Sequence, residues 1–178
     1  MRVYWKYFYT LALHKWFVFL ECCKAGIPFS GIAHDLSKYL PSEFFPYAHY
    51  WGNKAEDRTV SDTINYEKAL ILHKARKINR HHWEWWVDKD RSDPRGLPMD
   101  KRSRTEMLCD WRGASRAYNG ADYTLDYYHA NRNNIILHPD TRVWLEQELG
   151  ILEKSNQHKR YLLPGVFNRL WFPSRHGK

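Results

Sequence analysis

The sequence predicts an all-α protein folded as a compact helical bundle, and three observations carry that expectation. Apolar residues recur at helical spacing along most of the chain, while no segment shows the apolar–polar alternation of a half-buried strand. Gly26, Pro28, Pro41 and the Asn119-Gly120 pair punctuate the periodic stretches. At 178 residues and 21.5 kDa the chain suits one domain with a substantial core.

Residues 3 to 24 read as a first helix, stopped by Gly26 and Pro28. Ser30 is placed to cap a short second helix over 31 to 39, which ends before Pro41. Residues 42 to 50 add a further turn or two. The polar stretch 53–58 is a loop, after which Ser61 or Asp62 caps a long helix reaching His82 or Trp86. Two prolines, a glycine and several charges make 88–98 a second loop. A helix follows over 100–118, then two more over 122–132 and 140–153, the last entered through Pro139-Asp140-Thr141. Beyond Ser155 the periodicity fades. The chain therefore divides into a helical domain over 1–153 and a basic tail over 154–178, packed on or frayed from it. Repeats, low-complexity tracts and linkers do not show in the pattern.

Aromatic residues make up 16% of the chain, with nine Trp and twelve Tyr, enough to thicken a core or cover a cleft. A net charge of +8 favours anionic partners: nucleotides, nucleic acid or phosphorylated metabolites. The excess gathers at 74–80, at 101–104 and in the tail. The apolar stretch 3–19 is interrupted by Lys6, His14 and Lys15 and falls short of the roughly 18 residues of a spanning helix. The expectation is a soluble, cytoplasmic protein with no membrane partner. Cys22-Cys23 and the separate Cys109 form no CxxC pair, which fits reduced thiols.

The residues with most chemical content are His34-Asp35, an imidazole and a carboxylate side by side. With His14 upstream, His73, His81 and His82 in the middle and Asp110 downstream, the order reads H, HD, H, HH, D. Such a nitrogen and oxygen donor set suits Mn, Fe, Co or Ni, whereas a structural zinc site normally recruits thiolates. Residues so far apart meet only where facing helices of a bundle bring them together. On a continuous helix His81 and His82 diverge by about 100°, so one of them faces the site, and the spacing from His73 admits either. Lys38, one turn from His34, is placed to reach a phosphate oxygen.

On His14, on His34-Asp35 within HDLSK at 34–38, and on Asp110, the chain resembles the HD-domain superfamily of metal-dependent phosphohydrolases. His73 and the His81-His82 pair resemble the extra histidines of two-metal members such as the HD-GYP phosphodiesterases, although the Gly-Tyr-Pro element is absent. The segments HDLSKY, NRHHWEWW and EMLCDW also resemble a small uncharacterised bacterial and phage family. The resemblance covers residues 10 to 118 or so. It implies an HD-type bundle holding one or two divalent ions (Mn, Fe, Co, Ni or Mg) through His14, His34, Asp35, His73, His81, His82 and Asp110. Asp35, Lys38, His73 and His82 then serve catalysis by a metal-activated water. Lys74, Arg80, Arg112 and Arg116 are candidate phosphate clamps, and Trp83, in a cluster with Trp85 and Trp86, is a candidate base-stacking ring. Glu43 and Tyr47 are expected to line the pocket, supporting the ligands from behind.

The expected function is hydrolysis of a phosphoester in a nucleotide or related small molecule, with monoester, cyclic dinucleotide and triphosphate substrates all open. Two alternatives belong to other classes. An HD-type di-iron oxygenase uses much the same ligands, and a non-enzymatic nucleic-acid-binding protein would account for the charge and the aromatics, though no helix-turn-helix, zinc finger or aromatic sheet motif is present. Gly-rich phosphate loops and a serine nucleophile elbow are absent. His49, His129, His138, His158 and His176 fit no part of the pattern.

Overall fold

The structure is a computed structural model describing residues 2–90 and 92–153, and it is built around one long helix, α1 (Arg2–Lys24). Tyr7, Leu11, His14, Val18, Glu21 and Cys22 are its buried residues, recurring every three or four positions with Glu21 and Cys22 adjacent at the end. They form one continuous stripe that every neighbour packs against. Helices α2 (Pro28–Ala33), α3 (Pro41–Gly52) and α5 (Lys101–Asn119) lie against α1, and α4 (Val60–Ala75) packs on α3. Helices α6 (Thr124–Asn131) and α7 (Pro139–Glu148) follow α5. Strands β1 (Val87–Asp88) and β2 (Arg95–Gly96) form a small antiparallel ribbon within the expected 88–98 loop. The all-α expectation holds.

Three apolar clusters surround the polar centre. Tyr7, Leu11, Tyr47, Ala48 and Ala69 join α1, α3 and α4. Val18, Cys22 and Cys109 join α1 to α5, and Met107, Leu108, Tyr128, Ile135, Leu137 and Leu145 join α5 to α6 and α7. A Cβ on Gly113 would fall 2.5 Å from Val18 Cγ2 and 2.7 Å from its backbone nitrogen, so the missing side chain is what lets α5 approach α1.

Several boundaries differ from the expected ones. The second helix does not run through the HD pair: α2 ends at Ala33, and a 3-10 turn over Leu36–Tyr39 follows. Pro28 starts α2, while Ser30 lies inside it, buried, accepting a hydrogen bond from Arg102 Nε at 2.7 Å. Helix α3 is longer than two turns because Phe44, Tyr47 and Ala48 find partners on α1. Thr59, not Ser61 or Asp62, caps α4, in a reciprocal capping box with Asp62. That helix stops at Ala75 rather than near His82, giving way to 3-10 turns at Lys77–Asn79 and Trp83–Trp86. The buried Asn79 side chain donates to the His73 carbonyl at 2.9 Å, adding to the bond that carbonyl accepts from the Arg76 N–H at 3.2 Å. The last helix ends at Glu148, before Gly150 at φ +74°. The tail, with His158 and His176, lies outside the described residues. No helix among those described is long and apolar enough to cross a membrane.

Candidate metal centre

The break between α2 and the 3-10 turn turns His34 and Asp35 inward together, which a continuous helix would not do. Asp35 adopts φ +54°, a left-handed conformation that Asp and Asn tolerate better than other side chains. Its two carboxylate oxygens face different partners. Oδ2 lies 3.5 Å from His14 Nε2 and 3.4 Å from His34 Nε2, while Oδ1 lies 3.1 Å from His73 Nε2 and 3.5 Å from His81 Nε2. Asp110 Oδ1 completes the first group, 3.2 Å from His14 Nε2 and 3.4 Å from His34 Nε2. His82 Nε2, 2.9 Å from His73 Nε2, completes the second.

Helices α1, α4 and α5 and the two irregular turns thus bring all seven sequence-predicted ligands together. The donor atoms of His14, His34 and Asp110, and separately those of Asp35, His73, His81 and His82, lie within 4.8 Å of one another. His81 and His82 both take part, contrary to the expectation that one faces away. The reason is local: they sit in a turn between 3-10 segments, so the 100° divergence of helix neighbours does not apply.

The donor set fits a divalent cation. His14, His34, Asp35, His73 and His81 are buried. His14 Nδ1 makes no hydrogen bond among the described residues, and Asp35 Oδ1 and both His81 ring nitrogens meet their charged neighbours at ion-pair distance without hydrogen-bond geometry. Buried polar atoms left so are costly, and a cation would satisfy Asp35 Oδ1 and the His81 nitrogen facing it. The Nε2 atoms of His14 and His34 approach to 3.3 Å, again converging on one point.

Carboxylates behind the imidazoles hold them in place. Glu106, which the sequence reading missed, has Oε1 3.2 Å from His34 Nδ1 and 3.1 Å from His81 Nδ1. It lies one turn before Asp110 on the same face of α5, and that i, i+4 spacing is the signal that could have found it. Glu43 was expected near the pocket, supporting the ligands from behind, and it is fully buried behind His73, with Oε2 2.9 Å from Nδ1 and from Ser37 Oγ, and Oε1 2.6 Å from Arg76 Nε. Glu106 favours the proton on Nδ1 of His34 and Glu43 that on Nδ1 of His73, which leaves Nε2 of each facing the centre. Tyr47 packs into the α1–α3–α4 core rather than a pocket.

Charge is concentrated here. Burial works against ionisation of Asp35 and Asp110, but His34 and Lys38 hold Asp35, and hydrogen bonds from His14 and His34 hold Asp110, well below the usual carboxylate range. Burial also opposes a charged His34, yet Asp35 and Asp110 hold its pKa well above the ordinary value. Glu106, despite burial, is brought down to about 2 by its two histidines. Burial and the neighbouring His81 push His82 well down.

A cleft of about 540 Å³ opens onto this centre, with His82 and Asp110 in its lining. Lys74 and Trp83 line it as expected, beside Glu84, Trp111, Tyr118, Tyr123 and Tyr127. The other predicted substrate contacts point elsewhere. Arg80 pairs with Asp100 at 2.8 Å and lies over Trp86; Arg112 donates to the Glu148 carbonyl; Arg116 pairs with Glu21 on α1. These arginines tie elements together, because the faces of the chain that carry them meet carboxylates and carbonyls of neighbouring segments. Lys38 donates to Asp35 Oδ2 and is engaged there instead of free for a phosphate. Trp85 is exposed away from the cleft lining, and Trp86 packs on the α5–α7 core.

Fold and site together define an all-α protein with a buried histidine–carboxylate cluster able to hold a metal ion. Residues 3–151 match a family of unknown function (DUF5662), and the chain belongs to that family. No curated protein and no solved structure matches the chain.

Proposed function

We propose that the protein is a metal-dependent phosphohydrolase of HD type, cleaving a phosphoester of a nucleotide or related phosphorylated small molecule. The observation that carries this reading is Asp35, whose two oxygens are divided between two histidine groups. His14, His34 and Asp110 would hold one divalent ion and His73, His81 and His82 a second, with Asp35 shared. Such a pair supplies Lewis acidity at the phosphoryl group and an acidified water.

The chain's own residues account for the rest. Lys38 fixes the Asp35 carboxylate, and Glu106 and Glu43 fix the imidazoles behind it. His82 is held neutral and Asp110 ionised, and both meet a ligand entering the cleft. In the reaction water oxygen bonds to phosphorus as the ester P–O bond breaks. Asp35 would orient that water, and the proton that water gives up ends on the leaving alcohol.

Phosphate release by manganese-reconstituted protein from a panel of phosphoesters tests the proposal, with oxygen uptake by the iron-loaded protein as control. The expected result is turnover that falls by about 10²-fold or more in Asp35→Asn and Asp110→Asn. Oxygen consumption without phosphate release from any ester would replace this reading with the di-iron oxygenase.

A further inference from the structure

We infer that the cleft selects a phosphate monoester carried on a flat heteroaromatic ring, of the nucleoside monophosphate kind, over polyphosphates and strands of nucleic acid. This inference rests on the hydrolase reading of the metal centre and concerns what lies beside it.

Rings dominate the walls. Trp83 stands at one side, and Trp111 meets Tyr127 edge to face at 5.2 Å. Tyr118, Tyr123 and Tyr127 line the same space yet are 60%, 51% and 45% exposed, so much of their surface is left open to a ligand. Tyr118 also lies parallel to the His14 imidazole, 6.0 Å away, so the aromatic wall begins at the metal centre itself. Open aromatic surface beside a polar centre is suited to stacking a planar ring, because every such ring has a π-face to offer.

Charge argues against a long anion. Lys74 is the one lysine or arginine among the described residues of the cleft lining, and its ammonium is 2.6 Å from Glu84 Oε1. Asp110 and Asp126 add two further carboxylates to the lining. The arginines that a polyphosphate would need are paired with Asp100 and Glu21 or turned to a backbone carbonyl. One phosphoryl group can be met by the metal centre, whereas further phosphates would face carboxylates. The volume of about 540 Å³ lies within the range of small-molecule sites and suits a mononucleotide-sized ligand.

Two measurements on the full chain test this. Calorimetric titration of adenosine into metal-free protein reads the ring contact without the metal. Phosphate release by manganese-loaded protein then compares adenosine 5′-monophosphate, adenosine 5′-triphosphate and ribose 5-phosphate. We expect adenosine to bind, with Kd raised about fivefold or more in Tyr127→Ala and in Trp83→Ala, and the monophosphate to exceed both other esters in kcat/KM by at least about tenfold. Tyr127 is exposed, so its variant tests the contact even if Trp83→Ala fails to fold. Absence of adenosine binding, an unchanged Kd in Tyr127→Ala, or ribose 5-phosphate or the triphosphate matching the monophosphate would overturn the inference. In the last two cases phosphate release would leave the hydrolase reading standing. Adenosine binding that needs Tyr127, with no phosphate released from any ester, would support the ring site and overturn the hydrolase reading.

Discussion

Asp35 combines a left-handed backbone with a carboxylate that faces two histidine groups, and substitution separates these two roles. Asn tolerates the same φ, so Asp35→Asn should disturb the backbone little while weakening the charge that holds His34 protonated. Asp35→Ala should be less stable than Asp35→Asn by about 1 kcal/mol, because Ala lacks the short polar side chain that offsets the left-handed conformation in Asp and Asn, as read from urea midpoints. Glu106 gives a pH test in metal-free protein. Its carboxyl titrates at about 2 in the fold, below the roughly 4.3 of a free Glu, so its contribution is present above pH about 4.3 and is lost as pH falls toward 2. The stability difference between wild type and Glu106→Gln should therefore shrink across that window. His34 has the opposite sign. Its raised pKa gives stability that is present below about 6.5 and lost as pH rises through the folded value. At this scale the seven donors were legible because His and Asp are rare enough in combination to stand out. Glu106 was not legible as an imidazole partner, because a Glu behind a ligand looks in sequence like any helix carboxylate, and Glu43 was legible only through its place just after the HD turn.

Helices α1 and α5 carry His14 and Asp110, and their separation is set one turn further on, where Val18 meets Gly113. Gly113→Ala gains about 1 kcal/mol in helix propensity but forces a β-carbon into the Val18 backbone. The net result should be a loss of about 1–3 kcal/mol in denaturant stability, with metal affinity weakened because His14 and Asp110 move apart. Asn79 plays the matching part at the end of α4. Asn79→Ala removes the buried side-chain hydrogen bonds to Ser37 Oγ and to the His73 carbonyl, which keeps its bond from the Arg76 N–H, and should destabilise by about 1–2 kcal/mol while loosening the turn that presents His81 and His82. The helices themselves were legible from periodicity and breakers. Their interruptions at 34–35 and 76–86 were not, since local propensity runs on through both and only the packing of His34, Asp35 and Asn79 decides against it.

On the scale of the whole molecule, six of the eight excess positive charges belong to the tail 154–178, which lies outside the described residues. Arg80, Arg112 and Arg116 are spent on holding elements together, and the cleft itself carries Asp110, Asp126 and Glu84 against Lys74. That lining does not favour a nucleic-acid strand as the occupant of the cleft. Because the donors come from α1, α4, α5 and two turns, a bound metal ties together segments distant in the chain. Manganese at a thousandfold excess over its Kd should add about 4 kcal/mol per site, seen as a concentration-dependent rise in Tm that Asp35→Asn largely removes.

Metal content per chain tests the central claim most directly, measured by elemental analysis after reconstitution of wild type, Asp110→Asn and Asp35→Asn. A centre in which Asp35 is shared by two groups predicts about two equivalents in wild type, about one in Asp110→Asn and little in Asp35→Asn. Wild type without bound metal, or an Asp35→Asn variant that retains the wild-type content, would contradict it.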